Sequence, residues 1–419
     1  MPRKRLLLSG IVVLVVAIAA GLALLQLARH ELQGRDAIDD LSAQDPSGTA
    51  EQRGASACTS AQGGVAPPRA PSAAHAESSV ILQLDYAGAE ALIDALERDS
   101  LSAADVDSLF RIRGLCAMVD NVPRFFPGIG VSQFRKEIRA FVRTKKGGKY
   151  DGYFDLGGVW RARPRLRALI ATIQANERQI AGETISQLAP YRPDSGTLVV
   201  TVHFVAGGVS DGFAFENDPT SFYANLARSD GDVNGIVLNM AHEAYHVMQF
   251  RAQARAGIDP LSLSTDATPP VERLFATTLS EGTAEYVVDP TRWTATGSAM
   301  DSARRRYQRN ADPKRIAENF ARFDAVLAAL RSGRMAWDEA YRQGFTSTND
   351  ASFYFVGYEM SKAIERYCGR ECITRLFRKP PVEFFRQYVA LCHAHSEISG
   401  RFSKATEAFI AADVTKPAR

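Results

Sequence analysis

The central stretch of this 419-residue chain is residues 235–254, GIVLNMAHEAYHVMQFRAQA. Its apolar residues cover most of a helical circumference, and a helix of that kind is expected to be buried. The polar residues of the stretch repeat at helical spacing and form one stripe; they are Asn239, His242, Glu243, His246 and Gln249. Burying such groups without partners destabilises a fold. The stripe therefore predicts a metal ion and a wet cleft beside a buried helix.

The stretch contains an H-E-x-x-H motif, His242-Glu243-Ala244-Tyr245-His246. Two histidines four positions apart lie on one face of a helix, so both imidazoles can reach a single metal ion. Glu243 lies beside them, where its carboxylate can accept a proton from a water molecule activated by the metal. A pair of core histidines hydrogen-bonded to neighbours is the structural alternative. The helical context favours His242 and His246 as zinc ligands and Glu243 as a general base.

A zinc site needs a third protein ligand. The pattern over 271–288 predicts a second helix, and Glu281 and Glu285 lie one turn apart on the same face of it. We predict that Glu281 is the third ligand and that Glu285 hydrogen-bonds a ligand histidine. Glu285 as the ligand is one alternative, and His393 or His395, far along the chain, are others.

The two motifs together, His242-Glu243-x-x-His246 and Glu281-Gly282-x-Ala284, resemble those of the gluzincin zinc metallopeptidases. The thermolysin family and the M1-type aminopeptidases are the best-known members. The resemblance covers about residues 197–366 and implies a zincin-like domain, with zinc held on a helix below the edge of a sheet. The spacer between His246 and Glu281 has 34 residues, and the Gly-x-Met-x-Asn motif of aminopeptidases is absent. The chain looks more similar to small bacterial zinc-dependent peptidases that keep only the core.

A further segment, residues 352–364, reads SFYFVGYEMSKAI. Its Tyr354-x-x-Gly357 spacing is similar to the Tyr-Glu-Lys-Gly segment of M1-type aminopeptidases. The resemblance implies that Tyr354 donates a hydrogen bond to the oxyanion formed during hydrolysis, with Tyr358 as the alternative. An aromatic helix of the hydrophobic core would show the same pattern.

Apolar residues at helical spacing dominate the rest of the folded part. Helices are predicted over 87–96, 131–142 and 163–188, with Pro164 near the first turn of the last one. A capping-box-like start at Ser102 begins another helix.

Two segments predict strands. Residues 197–205 are rich in β-branched side chains, and residues 213–216 predict a shorter strand that could pair with an extended substrate. After them the chain is expected to be helical to its end. The predicted fold class is α+β, helix-dominant, with a small sheet in a zincin-like domain over residues 80–415.

The N-terminus predicts a membrane anchor. Arg3, Lys4 and Arg5 precede an apolar run over 6–28, which is long enough to cross a bilayer as a helix. The positive charges predict that residues 1–5 stay in the cytoplasm. We therefore expect a single-pass signal anchor in a bacterial inner membrane, with the domain in the periplasm or outside. Secretion after signal cleavage is the alternative.

Residues 29–79 are predicted to be a disordered linker, because small and polar residues dominate them. In an oxidising compartment, Cys368 and Cys372 could bridge a tight loop, and Cys116 with Cys392 would be the complementary pair.

The charges nearly balance, with 50 Lys+Arg against 47 Asp+Glu and a net charge of +3. That balance gives no indication of nucleic-acid binding. The sequence predicts a membrane-anchored zinc peptidase that hydrolyses peptide bonds of a peptide or protein substrate outside the cytoplasm. A catalytically inactive zinc-binding or scaffolding domain tethered to the membrane is the alternative.

Overall fold

Helices dominate the fold, and four short strands form a sheet. The computed structural model describes residues 80–145, 152–193 and 196–412. The strands are β1 (Val80–Asp85), β2 (Leu198–Val205), β3 (Gly212–Ala214) and β4 (Ser221–Asn225). The α-helices are α1 (Ala87–Glu97), α2 (Ala103–Leu109), α3 (Arg113–Asn121), α4 (Val131–Thr144), α5 (Leu156–Ala175), α6 (Glu177–Leu188), α7 (Val233–Arg255), α8 (Pro270–Val287), α9 (Ser298–Asn310), α10 (Pro313–Arg331), α11 (Trp337–Phe345), α12 (Ser352–Cys368), α13 (Arg370–Leu376), α14 (Val382–Ala394) and α15 (Lys404–Ala411).

The strand order of the sheet is β1-β2-β4-β3. Strands β1, β2 and β4 run parallel, and β3 runs antiparallel to β4 at the edge of the sheet. The predicted helix-dominant α+β class with a small sheet is thus confirmed. Residues predicted as strands form β2 and β3, with small shifts at their ends.

Strands β1 and β4 were not expected, and the prediction that the chain is helical from residue 216 onward is wrong at β4. The five residues of β4 lie between two strands, since Val202 pairs with Phe222 on one side and Ala214 pairs with Phe222 on the other. Such a strand is stabilised by its neighbours more than by its own sequence.

The segment predicted as one helix over 163–188 is two helices, α5 and α6, which meet at Asn176. Pro164 lies inside α5 and not in its first turn. A proline cannot donate to the carbonyl four residues before it, which here is the carbonyl of Trp160. The Arg163 guanidinium donates to that carbonyl at 2.7 Å in place of the missing N–H, and α5 continues past the proline. The capping box at Ser102 is confirmed.

Helix α7 carries the H-E-x-x-H motif and is held at its start by Asp232. One carboxylate oxygen of Asp232 accepts from the N–H of Asn234 at 3.0 Å. The other accepts from the N–H of Ala299 at 3.0 Å, in the first turn of α9. A single carboxylate therefore satisfies the first turns of two helices, where backbone N–H groups lack helical partners.

Helices α8 and α12 approach each other closely through two glycines. A Cβ on Gly282 would lie 2.2 Å from the Cα of Gly357, and a Cβ on Gly357 would lie 2.7 Å from the Cα of Gly282. Both glycines belong to the motifs singled out above, Glu281-Gly282 and Tyr354-x-x-Gly357. They bring the helix of Glu281 against the helix of Tyr354.

The cysteine predictions have mixed outcomes. Cys368 and Cys372 form a disulfide, as predicted. The pairing of Cys116 with Cys392 is wrong, because Cys392 is a buried free thiol while Cys116 is disulfide-bonded.

The predicted anchor over 6–28 and the predicted linker over 29–79 lie outside the described residues. Among the residues that are described, no helix combines the length and apolar character needed to cross a membrane.

Candidate metal centre

Three side chains from two helices converge at one point, as the spacing of the motifs predicts. Nε2 of His242 lies 3.1 Å from Nε2 of His246. Oε2 of Glu281 lies 3.4 Å from the first nitrogen and 3.3 Å from the second. Helix α7 supplies both histidines and α8 supplies the carboxylate. Within the described ranges these are the residues grouped closely enough to share a metal ion.

The spacing of the three atoms fits zinc. Ligand atoms about 2.0–2.1 Å from a tetrahedral zinc lie about 3.3–3.4 Å from one another. The observed separations of 3.1, 3.3 and 3.4 Å are those of three corners of such a tetrahedron. One corner remains for water or substrate, as in catalytic zinc sites. Two imidazoles and one carboxylate are also a ligand set that zinc accepts.

The electrostatics of the cluster favour positive charge at its centre. Burial lowers the pKa of His246, but the neighbouring Glu281 carboxylate raises it more, to about 9. Burial raises the pKa of Glu281, and the two imidazoles lower it below its ordinary value. These opposite shifts have one cause, the attraction between a protonated imidazole and the Glu281 carboxylate 3.3 Å from it.

Glu243 is 6% exposed, next to the two histidines on α7. Burial raises the pKa of its carboxyl group. A raised pKa makes a carboxylate a better proton acceptor near neutral pH. Edge strand β3 passes directly over this residue, because a Cβ on Gly212 would lie 2.8 Å from Cγ of Glu243 and 2.6 Å from Oδ1 of Asn239. Only glycine allows the strand to come so close.

Tyr354 lies beside the cluster, and its ring centroid is 6.5 Å from that of His242, with the two rings stacked. Burial raises its pKa well above 10, so the hydroxyl stays protonated and able to donate. The alternative, Tyr358, donates its hydroxyl to Asp289 at 2.7 Å. The geometry thus favours Tyr354 over Tyr358 as the tyrosine available to a substrate.

Glu285 does not hydrogen-bond a ligand histidine, contrary to our expectation. Its carboxylate accepts from the Arg306 guanidinium at 2.6 Å and from the hydroxyl of Tyr307, both on α9. Because Glu285 lies one turn after Glu281, its side chain contacts α9 and not the histidines. It is also not the third ligand, since Glu281 fills that position.

His393 and His395 lie away from the cluster. His393 pairs with Glu407 at 3.1 Å, and the ring of His395 stacks on Tyr367.

The partners of Nδ1 of His246 are instead Gln249, whose Oε1 lies 2.9 Å away, and Ser280, whose Oγ lies 3.1 Å away. Sequence reasoning placed Gln249 on the polar stripe but gave it no role. Its position three residues after His246, on the same helical face, was the available signal.

Comparison with known protein families gives a match. The model of the family described as "Putative zinc dependent peptidase (DUF5700)" matches residues 106–397. No curated protein and no solved structure matches the chain. The matched region covers more than half of the chain and contains the H-E-x-x-H helix, Glu281 and Tyr354. The cluster of His242, His246 and Glu281 is compatible with the zinc that the family description names. The chain belongs to this family of zinc-dependent peptidases.

Proposed function

We propose that this chain is a gluzincin-type zinc metallopeptidase, with His242, His246 and Glu281 as the ligands and Glu243 as the general base. The observation that carries the proposal is the convergence of two imidazole nitrogens and one carboxylate oxygen, all within 3.4 Å of one another. The order of these residues, H-E-x-x-H followed by a glutamate on a later helix, is the gluzincin arrangement. Membership of the family supports peptide hydrolysis.

A zinc ion bound by these residues would polarise the substrate carbonyl and lower the pKa of a water molecule toward about 7. Glu243 accepts the proton of that water and later delivers it to the leaving amine. Its raised pKa suits both steps, because the same group must take the proton and give it back. The protonated Tyr354 hydroxyl donates to the carbonyl oxygen as negative charge develops there.

Edge strand β3 is the surface on which we place the substrate. The carbonyl of Asp211 accepts from the N–H of Asn225 at 2.9 Å, and Gly212 pairs in register with Ala224. Because hydrogen-bonded and non-hydrogen-bonded pairs alternate in antiparallel strands, the backbone groups of Gly212 and Ala214 point away from β4. An extended peptide pairing with them would run past Glu243 as an added strand.

We further propose that the domain acts outside the cytoplasm, tethered to the membrane by residues 6–28. The charge pattern of residues 1–28 supports this placement. The Cys368–Cys372 disulfide supports it as well, because disulfides persist mainly in oxidising compartments. Membrane fractionation of the full chain beside a chain starting at residue 29 tests the tether, since only the full chain should sediment with membranes.

The decisive experiment compares Glu243→Gln with the native protein on a mixed peptide library. We expect Glu243→Gln to lower kcat/KM by at least about 10²-fold, the range of a lost proton-transfer group, while zinc remains bound at one ion per chain. Glu183→Gln, the same substitution on the exposed surface of α6, is the matched control and should cleave normally. A native protein that binds zinc but cleaves nothing in the library would instead favour the inactive scaffolding domain.

A further inference from the structure

Gln249 connects a candidate zinc ligand to the helix that carries another. It is 1% exposed, on α7, one turn after His246. Its Oε1 lies 2.9 Å from Nδ1 of His246. Its Nε2 donates to the backbone carbonyl of Ser280 at 2.9 Å and to Oγ1 of Thr283 at 2.7 Å. Ser280 immediately precedes Glu281, so the contacts of Gln249 reach both ligand-bearing helices.

The partners of this amide fix its orientation. The Ser280 carbonyl can only accept a hydrogen bond, so the nitrogen of the amide must face it. The Thr283 hydroxyl donates to the carbonyl of Leu279 at 2.7 Å, which leaves its oxygen to accept from the same nitrogen. The oxygen of the Gln249 amide therefore faces His246, and the Ser280 hydroxyl donates to it at 2.8 Å.

The oriented amide in turn fixes the tautomer of His246. An amide oxygen only accepts, and the Ser280 hydroxyl, 3.1 Å from Nδ1, gives its hydrogen to that amide oxygen and so also accepts. Nδ1 of His246 must therefore carry the hydrogen. In the neutral ring, Nε2 is then left with its lone pair. That nitrogen is the one 3.1 Å from Nε2 of His242 and 3.3 Å from the Glu281 carboxylate. The ring thus presents to the centre of the cluster the form that a metal ion requires.

We propose that Gln249 is the positioning residue of the zinc site. Ser280 and Thr283 hold its side chain, and we name these three residues the Gln249 clamp. This inference rests on the zinc site of the proposed function. The clamp sets the tautomer and ring plane of His246 and ties them to the helix segment next to Glu281. An amide achieves this without adding a negative charge beside Glu243 and Glu281, whereas a carboxylate partner would add one.

The test measures the zinc dissociation constant by chelator competition in two variants. Gln249→Leu removes Oε1 from Nδ1, and it also removes the acceptor that holds the Ser280 hydroxyl, whose oxygen lies 3.1 Å from Nδ1. That hydroxyl can then donate to Nδ1 and favour the wrong tautomer, so we expect the dissociation constant to rise about 10–100-fold. Gln249→Glu keeps an acceptor toward Nδ1 but loses the donor to the Ser280 carbonyl, so its dissociation constant should rise less than that of Gln249→Leu, by under about tenfold, which is below the range for a lost partner. Cobalt substituted for zinc should show an altered visible spectrum in Gln249→Leu alone.

The matched control is Gln253→Leu, the same substitution one turn later at a residue that is 7% exposed. It should leave zinc affinity unchanged. If Gln249 only packs the two helices, a buried charge is worse than a leucine, so the order would reverse, with Gln249→Glu weakening zinc more than Gln249→Leu. That order, or native zinc affinity in Gln249→Leu, overturns the proposal. A native protein that binds no zinc would overturn the proposed function itself.

Discussion

At the residue scale, Glu285 shows how a carboxylate can serve a site that it does not touch. It is 3% exposed and bound to Arg306 and Tyr307 of α9. The same helix is tied to the start of α7 through Asp232. Helix α9 therefore braces both helices that carry the candidate ligands, and Glu285 is its contact with α8.

This role predicts a stability effect for Glu285→Gln. The substitution keeps the shape of the side chain but removes the charge that faces Arg306, which is itself partly exposed. We expect the free energy of unfolding to fall by about 1–3 kcal/mol, as for a buried hydrogen bond to a charged group. Urea unfolding of Glu285→Gln beside Glu183→Gln measures the difference. Equal midpoints for the two variants would mean that Glu285 does not brace the helix.

Individual residues also show what the sequence could predict. His242 and His246 were identified because helical spacing places them on one face, and Glu281 because a zinc site needs a third ligand and a later helix offers a carboxylate. The hydrogen-bond partner of His246 was not predicted correctly. Glu285 and Gln249 are each one turn from a ligand, and only the packing of α7, α8 and α9 decides which of them faces His246. The spacing of residues along one helix does not give the rotation of one helix against another.

At the element scale, β2 could be predicted from its own sequence, whereas β1 and β4 could not. Five of the eight residues of β2 are β-branched and the segment partly alternates, so it predicts a strand on its own. The five residues of β4 become a strand by pairing with β2 and β3. The helix pair α8 and α12 depends likewise on a contact between Gly282 and Gly357. Each glycine lies in a motif that was recognised from its neighbouring residues. The glycine itself is needed because the other helix packs against it.

That contact predicts a coupled effect for Gly282→Ala. The new methyl group would lie 2.2 Å from the Cα of Gly357, so α8 and α12 must separate. Overpacking of this kind costs typically about 1–3 kcal/mol. Because Glu281 and Tyr354 lie on the separated helices, we expect weaker zinc binding together with lower kcat. Thermal unfolding, zinc titration and peptide hydrolysis measure the three effects.

The matched control is Gly182→Ala on α6, where an added Cβ meets nothing within 4 Å. There alanine should stabilise the helix by about 0.5–1 kcal/mol, because it loses less backbone entropy than glycine. If both alanine variants were stabilised alike, the close packing of α8 and α12 would not be what places Glu281.

At the scale of the whole molecule, the candidate metal centre lies where separate parts of the fold meet. Helix α7 packs below β3 and β4, and α8 packs against α12. Helix α9 packs against α7 and binds α8 through Glu285. A ligand that binds only the folded state stabilises it by RT ln(1 + [L]/Kd). Zinc held between α7 and α8 should therefore stabilise the whole domain and not one helix, since neither helix alone contains three ligands.

This predicts a large thermal shift on metal removal. At a zinc concentration of 100 Kd the stabilisation is about 2.7 kcal/mol, or roughly 5–10 °C in Tm at about 2–4 °C per kcal/mol. Scanning calorimetry before and after chelation should show one transition moving down by that amount, and zinc, unlike magnesium, should restore it. His242→Ala is the control, because it keeps the helix but lacks one ligand, and its Tm should not respond to zinc. A shift of equal size in His242→Ala would place the stabilising zinc elsewhere in the chain, and the three-ligand centre would have to be abandoned.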